Sequence, residues 1–181
     1  YAAGPSVSDM RTGHDMYYTM DKMLWKLGLV ELAKAYGMPC TAEMGGTLGH
    51  RYDMQSGAES MMFMLAAVNS GADILAGLGS CLNANGLSSE MMVIQTEWLK
   101  IAQFLTRGVS EERIDESFAS LKDQGPGGNF MTDDLTLKML YSDGFYKAEL
   151  LDVSGGYEES KSLLQKAHGR VEELTTGYVS P

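Results

Sequence analysis

PCTAEMGGTLGHRYDMQSGAESMMFMLAAVNSG, residues 39–71, is the stretch whose reading decides the fold. Pro39 to Glu43 reads as a short strand, Gly45, Gly46 and Gly49 open a polar loop, and Met54 to Ser70 reads as a helix. The same order recurs on either side. Short apolar runs near Ala2 and Ile74 lead into the loops VSDMRTGHD and GSCLNANGLSSE, and each loop leads into a long amphipathic helix. The beat is about 35 residues, close to one strand–helix unit of a (β/α)₈ barrel, in which the loops after the strands carry the chemistry. About three parallel strands are predicted, near residues 1–5, 39–43 and 73–78, with their three loops on one side.

Working outward, His14 to Tyr36 is predicted as a helix burying Met20, Met23, Leu24 and Leu27, ended by Gly37 and barred from continuing by Pro39. In the helix from Met54, the expected buried stripe is Ala58, Met61, Met62, Leu65 and Val68. Gly79 to Gly86 reads as loop, and Ser88 as the N-cap of a helix running to about Arg107. Leu87, Met91, Ile94, Trp98, Ile101 and Leu105 give that helix its period. Ser110 is read as the start of a helix to about Asp123, followed by a rigid turn at Gly125-Pro126-Gly127-Gly128 and a short helix capped by Thr132-Asp133-Asp134. A last helix carries Leu164, Ala167, Val171 and Leu174. The class is therefore α/β and helix-rich. Most of the 14 methionines fall on helical stripes and read as core.

A barrel of this kind typically needs about 250 residues. Residues 1–181 are thus expected to be a single partial domain, the C-terminal part of a barrel whose remainder lies upstream. Such a piece taken alone would leave apolar edges uncovered, so a homo-oligomer is expected. The net charge of −10 comes without any Lys/Arg cluster, which argues against nucleic acid and membrane surfaces as partners. Cys40 and Cys81 lack CxxC spacing and fit free thiols in a reducing cytoplasm. No HExxH or Cys/His cluster points to a metal, GPGGNF lacks dinucleotide spacing, and no GxSxG elbow is present.

The motifs SVSDMRTG, AEMGGTLGHRYDMQSGAESM, GADILAGLG, GLSSEMMVIQTEWLKIAQFLTRGV and QGPGGNFMTDDLTLKML cover nearly the whole chain. In this order they resemble the C-terminal portion of the trimethylamine methyltransferase superfamily. The resemblance implies a (β/α)₈ barrel and corrinoid-dependent amine methyl transfer. Gly49-His50-Arg51-Tyr52 stands where the trimethylamine enzymes show a Ser-Asp-Ala-Lys-like loop. That departure resembles the members lacking pyrrolysine, which demethylate quaternary amines such as glycine betaine. The implied methyl acceptor is Co(I) of a corrinoid carried on a separate protein, with no cofactor tightly bound to this chain. The alternatives are trimethylamine as substrate, or a barrel that binds a betaine without turnover.

A quaternary ammonium asks for aromatic faces or a carboxylate, and a betaine carboxylate asks for charge-assisted donors. His50 is the first candidate donor and Arg51 the second. Tyr52 and Tyr1 are candidate aromatic walls. Asp9 and Glu90 are candidates to balance charge or orient neighbours, and Gln55 and Asn129 are candidate hydrogen-bonding groups. Each also has a plainer reading. Arg51 could pair with Asp53, Asp9 could tie its own loop, Glu90 could answer the helix dipole, and Asn129 could stabilise its turn. His14 and His168 read as surface residues of helices.

Overall fold

The computed structural model describes residues 4–178. The strand expected near residues 1–5 therefore falls, for residues 1–3, outside the described residues, as does Tyr1. Residues 4–6 are not in a strand. Two compact units divide the chain, Tyr1–Thr106 with Leu150–Pro181, and Arg107–Glu149.

The larger unit opens with an antiparallel hairpin, β1 (Val7–Ser8) and β2 (Asp15–Met16). Then come α1 (Met20–Ala35), β3 (Thr41–Glu43), α2 (Met54–Ser70) and β4 (Ile74–Ala76). β3 and β4 pair in parallel, with Thr41 opposite Ile74, Ala42 opposite Leu75 and Glu43 opposite Ala76. Asp73 aligns their starts. Its carboxylate accepts from the Cys40 N–H at 2.8 Å, and its own N–H donates to the Cys40 carbonyl at 3.1 Å. The bond from the Cys40 amide holds the Asp73 carboxyl below its usual range. A second hairpin follows, β5 (Ser80–Cys81) and β6 (Gly86–Leu87), and leads into α3 (Ser89–Arg107).

In the smaller unit, α4 (Ile114–Gln124) is joined to α5 (Asp134–Leu140) through a single 3₁₀ turn, Phe130–Thr132. The larger unit closes with α6 (Leu163–Thr176). The architecture is α/β and helix-rich, and the described strands form three two-stranded sheets. Among the described residues no helix is long and apolar enough to cross a membrane.

Local chemistry accounts for the helix ends. Asp53 caps α2 by accepting from the N–H groups of Gln55 and Ser56, and Ser56 returns a hydroxyl acceptor to the Asp53 N–H. Gly71 ends α2 in the left-handed region at φ 67°. Ser88 caps α3 as expected, accepting from the Met91 N–H at 3.1 Å. Asp133 caps α5 through the N–H groups of Leu135 and Thr136.

Three expectations need correction. α1 begins at Met20 rather than His14, because Gly13 turns left-handed at φ 70° and sends Asp15–Met16 back along β1. Thr19 then caps the helix. α4 begins at Ile114, since the Ser110 hydroxyl accepts from the nearby Glu112 N–H and does not cap it. The segment 79–86 is no open loop but part of the β5–β6 hairpin.

The buried faces also differ from expectation. The core gathers Val30, Ala33, Cys40, Ala42, Met44, Met64, Ala67 and Ala102, with Met61, Leu65, Val68 and Trp98 packed against it. α1 buries Lys22, Lys26, Val30 and Ala33, while Leu24 is 68 % exposed. α2 buries Ser56, Ser60, Phe63, Met64, Ala67 and Ser70, and leaves Met62 exposed. Small side chains on α2 permit a close approach: the Ser60 hydroxyl donates to the Gly45 carbonyl at 3.0 Å. α3 follows its predicted stripe through Met91 and Ile94, but Leu87 and Leu105 are exposed.

The two adjacent glycines after β3 serve different ends. Gly45 adopts φ 77°, which disfavours any side chain. Gly46 lies under the Tyr18 ring, and a Cβ there would sit 1.8 Å from Tyr18 Cε1. Gly46→Ala is expected to destabilise by about 1–3 kcal/mol or more by overpacking. Pairing it with Tyr18→Leu should recover part of that loss, read by denaturant unfolding of the single and double variants.

Candidate functional site

Because β3 and β4 are parallel, the chain leaves both at the same end. The two exits are joined by one buried side chain. Gln95 of α3 accepts from the Gly79 N–H at 2.6 Å, and its amide nitrogen donates to the Gly45 carbonyl, with the Ser60 hydroxyl at 3.5 Å and the Ser80 carbonyl at 3.4 Å. Within the loop after β3, Glu59 holds the next residues. Its carboxylate accepts from the Thr47 hydroxyl at 2.6 Å and the Leu48 N–H at 2.8 Å, and from Gln55 at 3.0 Å.

Glu43, the last residue of β3, gathers the charge. Lys22 Nζ lies 2.8 Å from one carboxylate oxygen, Lys26 Nζ lies 4.0 Å from the other, and the Tyr17 hydroxyl donates to that oxygen at 2.7 Å. Lys22 Nζ also sits 2.7 Å from the Tyr17 ring centroid, a cation–π contact. Burial pushes the Glu43 carboxyl up, but the bonds from Lys22 and Tyr17 outweigh it and hold Glu43 below its usual range. Burial pulls the Lys22 ammonium down and pushes the Tyr17 phenol up.

The β5–β6 hairpin closes over this floor. Its tip runs through three consecutive left-handed residues, Leu82 at φ 53°, Asn83 at φ 54° and Ala84 at φ 67°. Left-handed backbone costs roughly 1–2 kcal/mol per residue with a Cβ, less for Asn. Asn83 is tied on every side. Its N–H donates to the Thr47 carbonyl at 3.1 Å, its side-chain oxygen accepts from the Tyr17 N–H at 2.7 Å, and its side-chain nitrogen donates to the Asp15 carbonyl.

The three loops meet around an open cleft of about 420 Å³, lined by Gly13, His14, Asp15, Tyr17, His50, Asn83, Ala84 and Asn85. That volume lies in the range of small-molecule sites, about 300–1,000 Å³. The lining offers one carboxylate, one phenol, two imidazoles and two amides.

Of the candidates read from sequence, His50 lines the cleft. Arg51 is exposed beside it and does not line the cleft, and among the described residues no ion pair links it to Asp53. Tyr52 bonds through its hydroxyl to Ser88 Oγ, tying the loop to the cap of α3. Asp9 closes its own loop, accepting from the Arg11 N–H and the Thr12 hydroxyl, both at 3.0 Å. Those bonds, the Arg11 amide first, lower its carboxyl. Gln55 serves Glu59. Glu90 reaches His168 Nδ1 at 3.0 Å and Ser88 at 3.2 Å. Asn129, in the smaller unit, accepts from the Met131 N–H at 3.0 Å and caps the 3₁₀ turn. His14 is no helix residue; it lies next to β2 and lines the cleft.

Sequence reading passed over Glu43, Lys22, Tyr17, Asp15, Asn83 and Gln95. A usable signal existed in Lys22 and Lys26, four apart and in register with Val30 and Ala33 on one helical face. A buried lysine pair requires a carboxylate, and Glu43 ends the adjoining strand.

The parallel strand pair brings the loops that follow both strands to one end, where they border this small polar cleft. The chain belongs to the trimethylamine methyltransferase (MTTB) family, whose model matches residues 1–181. It is 28% identical over 185 residues to a glycine betaine methyltransferase of Desulfitobacterium hafniense, covering 100% of this chain and 38% of that protein. It is 30% identical over 166 residues to an L-carnitine:corrinoid methyltransferase of Eubacterium limosum, covering 89% of this chain and 34% of that protein. A trimethylamine methyltransferase MttB1 of Methanosarcina acetivorans is 25% identical over 183 residues, 99% of this chain and 37% of its own. The chain thus spans less than two fifths of these relatives.

Two tests follow from the geometry. Gln95→Leu strands the buried Gly79 N–H and leaves the Gly45 carbonyl to Ser60 alone, and should cost about 1–3 kcal/mol in denaturant unfolding. The Glu90–His168 pair carries a pH dependence of known sign. Hydrogen bonding to Glu90 raises the His168 imidazole, and hydrogen bonding to His168 lowers the Glu90 carboxyl. The His168 contribution is full below the unfolded value of about 6.5 and is lost as pH rises through the raised folded value. The Glu90 contribution is full above about 4.3 and is lost as pH falls through its lowered folded value. Unfolding of wild type and His168→Ala, compared across that range, should differ most at mildly acidic pH and converge in alkali.

Proposed function

We propose that this chain contributes the substrate cleft of a corrinoid-dependent methyltransferase acting on a quaternary amine, with glycine betaine the first choice. In this reading the parallel β3–β4 pair is two successive units of a (β/α)₈ barrel. The observation that carries the proposal is the convergence of His50, Asp15 and Tyr17 on one cleft. A betaine is a cation and an anion held a few bonds apart. Asp15 offers a carboxylate for the ammonium, and Tyr17, whose ring already holds Lys22, contributes wall to the cleft. His50, with the side-chain amide of Asn85, offers donors for the substrate carboxylate. The role offered in sequence to Asp9 passes to Asp15, because Asp9 is spent on its own loop.

The methyl acceptor is the corrinoid cobalt of a partner protein. The small polar lining of this cleft suits a zwitterion and offers no apolar bed for a broad macrocycle. In the transfer the carbon–nitrogen bond breaks, the nitrogen keeps the bonding pair, and a neutral tertiary amine leaves. No general acid is needed, so the residues of this chain act by holding and aiming the substrate.

His50→Ala, made in the protein at its full natural length, should remove one charge-assisted hydrogen bond. Such a bond contributes roughly 1.5–3 kcal/mol, or about a tenfold to hundredfold loss in kcat/KM for glycine betaine. Methyl transfer to Co(I) cobalamin from tetramethylammonium, which has no carboxylate, should fall little. An equal loss on both substrates would place His50 in the loop's shape instead. Betaine binding without any methyl transfer by the wild type would leave a binding protein and no enzyme.

A further inference from the structure

We propose that Asn83 is the positioning residue of this cleft, holding the His50 loop and the β1–β2 hairpin in register through a left-handed turn that is maintained from outside. The inference deepens the betaine reading but depends on it only for the affinity measurement below. Three observations carry it. First, among the described residues the non-glycine residues with positive φ are Leu82, Asn83 and Ala84, and they are consecutive. The turn's own bonds are few: the Asn85 N–H donates to the Leu82 carbonyl at 3.0 Å, and the Asn85 side chain reaches the Asn83 carbonyl at 3.3 Å. A leucine and an alanine held left-handed must be restrained by contacts beyond the turn.

Second, those contacts converge on Asn83, and they go to the two other loops of the cleft. Two run to β2 and the residue after it, at Asp15 and Tyr17, and one to Thr47, three residues before His50. Thr47 is gripped from its other side by Glu59, and its hydroxyl accepts from the Gly49 N–H at 2.8 Å. Displacing the Asn83 backbone therefore removes one of the bonds that hold the segment leading to His50, beside those of Glu59 to Thr47 and Leu48. Third, only asparagine suits all these demands. The left-handed region tolerates it, and its side chain presents an acceptor and a donor together. Asp15 and Tyr17 lie on one chain segment and His50 on another, and Asn83 bonds to both, so it acts on ligand through them.

The test uses Asn83→Gly and Asn83→Asp in the protein at its full natural length. Glycine keeps the left-handed backbone and deletes the side-chain ties. Aspartate keeps an acceptor for the Tyr17 N–H and loses the donor to Asp15. Native-state hydrogen exchange should quicken about tenfold or more at the Tyr17 amide in Asn83→Gly, and return toward wild type in Asn83→Asp. The His14 imidazole NMR resonance, assigned with His14→Gln, should shift in Asn83→Gly, because the lost ties run to the β2 segment beside it, while that of His168 stays in place. With glycine betaine as probe, the dissociation constant should rise about tenfold in Asn83→Gly. An unmoved Tyr17 amide or an unmoved His14 resonance would overturn the inference. So would loosened loops with unchanged betaine affinity. A wild type that binds no betaine would overturn the function proposed for the cleft, and the exchange and imidazole measurements would still decide the role of Asn83.

Discussion

The structure depends on one buried amide. Gln95 faces the point where two parallel strands let go of their ladder, and there the backbone must turn away with its polar groups unpaired. One primary amide answers both exits, accepting from one and donating to the other. This ties the spacing of the loops to α3, a long helix anchored in the core by Met91, Ile94 and Ala102. Gly45 lets the chain come that near, since a Cβ there would fall 2.7 Å from the Gln95 side chain. The cleft thus inherits its geometry from packing several residues away from any ligand.

A second layer, of charge, lies beneath it. Lys22, Lys26 and Glu43 bring two ammonium groups to one carboxylate at the end of β3. Ion pairs this deep are weak sources of stability, because desolvation cancels much of the attraction. Their effect is directional. Glu43 fixes the Tyr17 hydroxyl and Lys22 lies against its ring, so one side chain of the cleft is held at both its polar and its aromatic parts.

Much of this was legible in the residues. α2 occupies Met54–Ser70 as read, because a capping box and a left-handed glycine mark its ends chemically. Ser88 and Asp133 were found as caps for the same reason, and β3 and β4 through their apolar runs between turn residues. The buried faces of α1 and α2 were not legible. Apolar periodicity assumes that the buried stripe is the greasy one, and here it holds two lysines on one helix and three serines on the other. The burial of Lys22 and Lys26 is answered by Glu43 and that of Ser60 by Gly45, on other elements of the fold. His50 could be placed in a loop of the right face, whereas Asp15 and Tyr17 were hidden inside an expected helix that Gly13 interrupts. The role of Asn83 rests on backbone dihedrals, which no residue pattern states.

The groups that shape the cleft and the groups that line it are largely different residues. Gln95, Glu59, Gly45 and Gly46 do the shaping from below, while His14, Asp15, His50, Ala84 and Asn85 face the opening. Exposed positions with little packing duty tolerate substitution within about 0.5 kcal/mol. The rim of the cleft can therefore change chemically by one or two replacements at a time while the scaffold beneath keeps its stability.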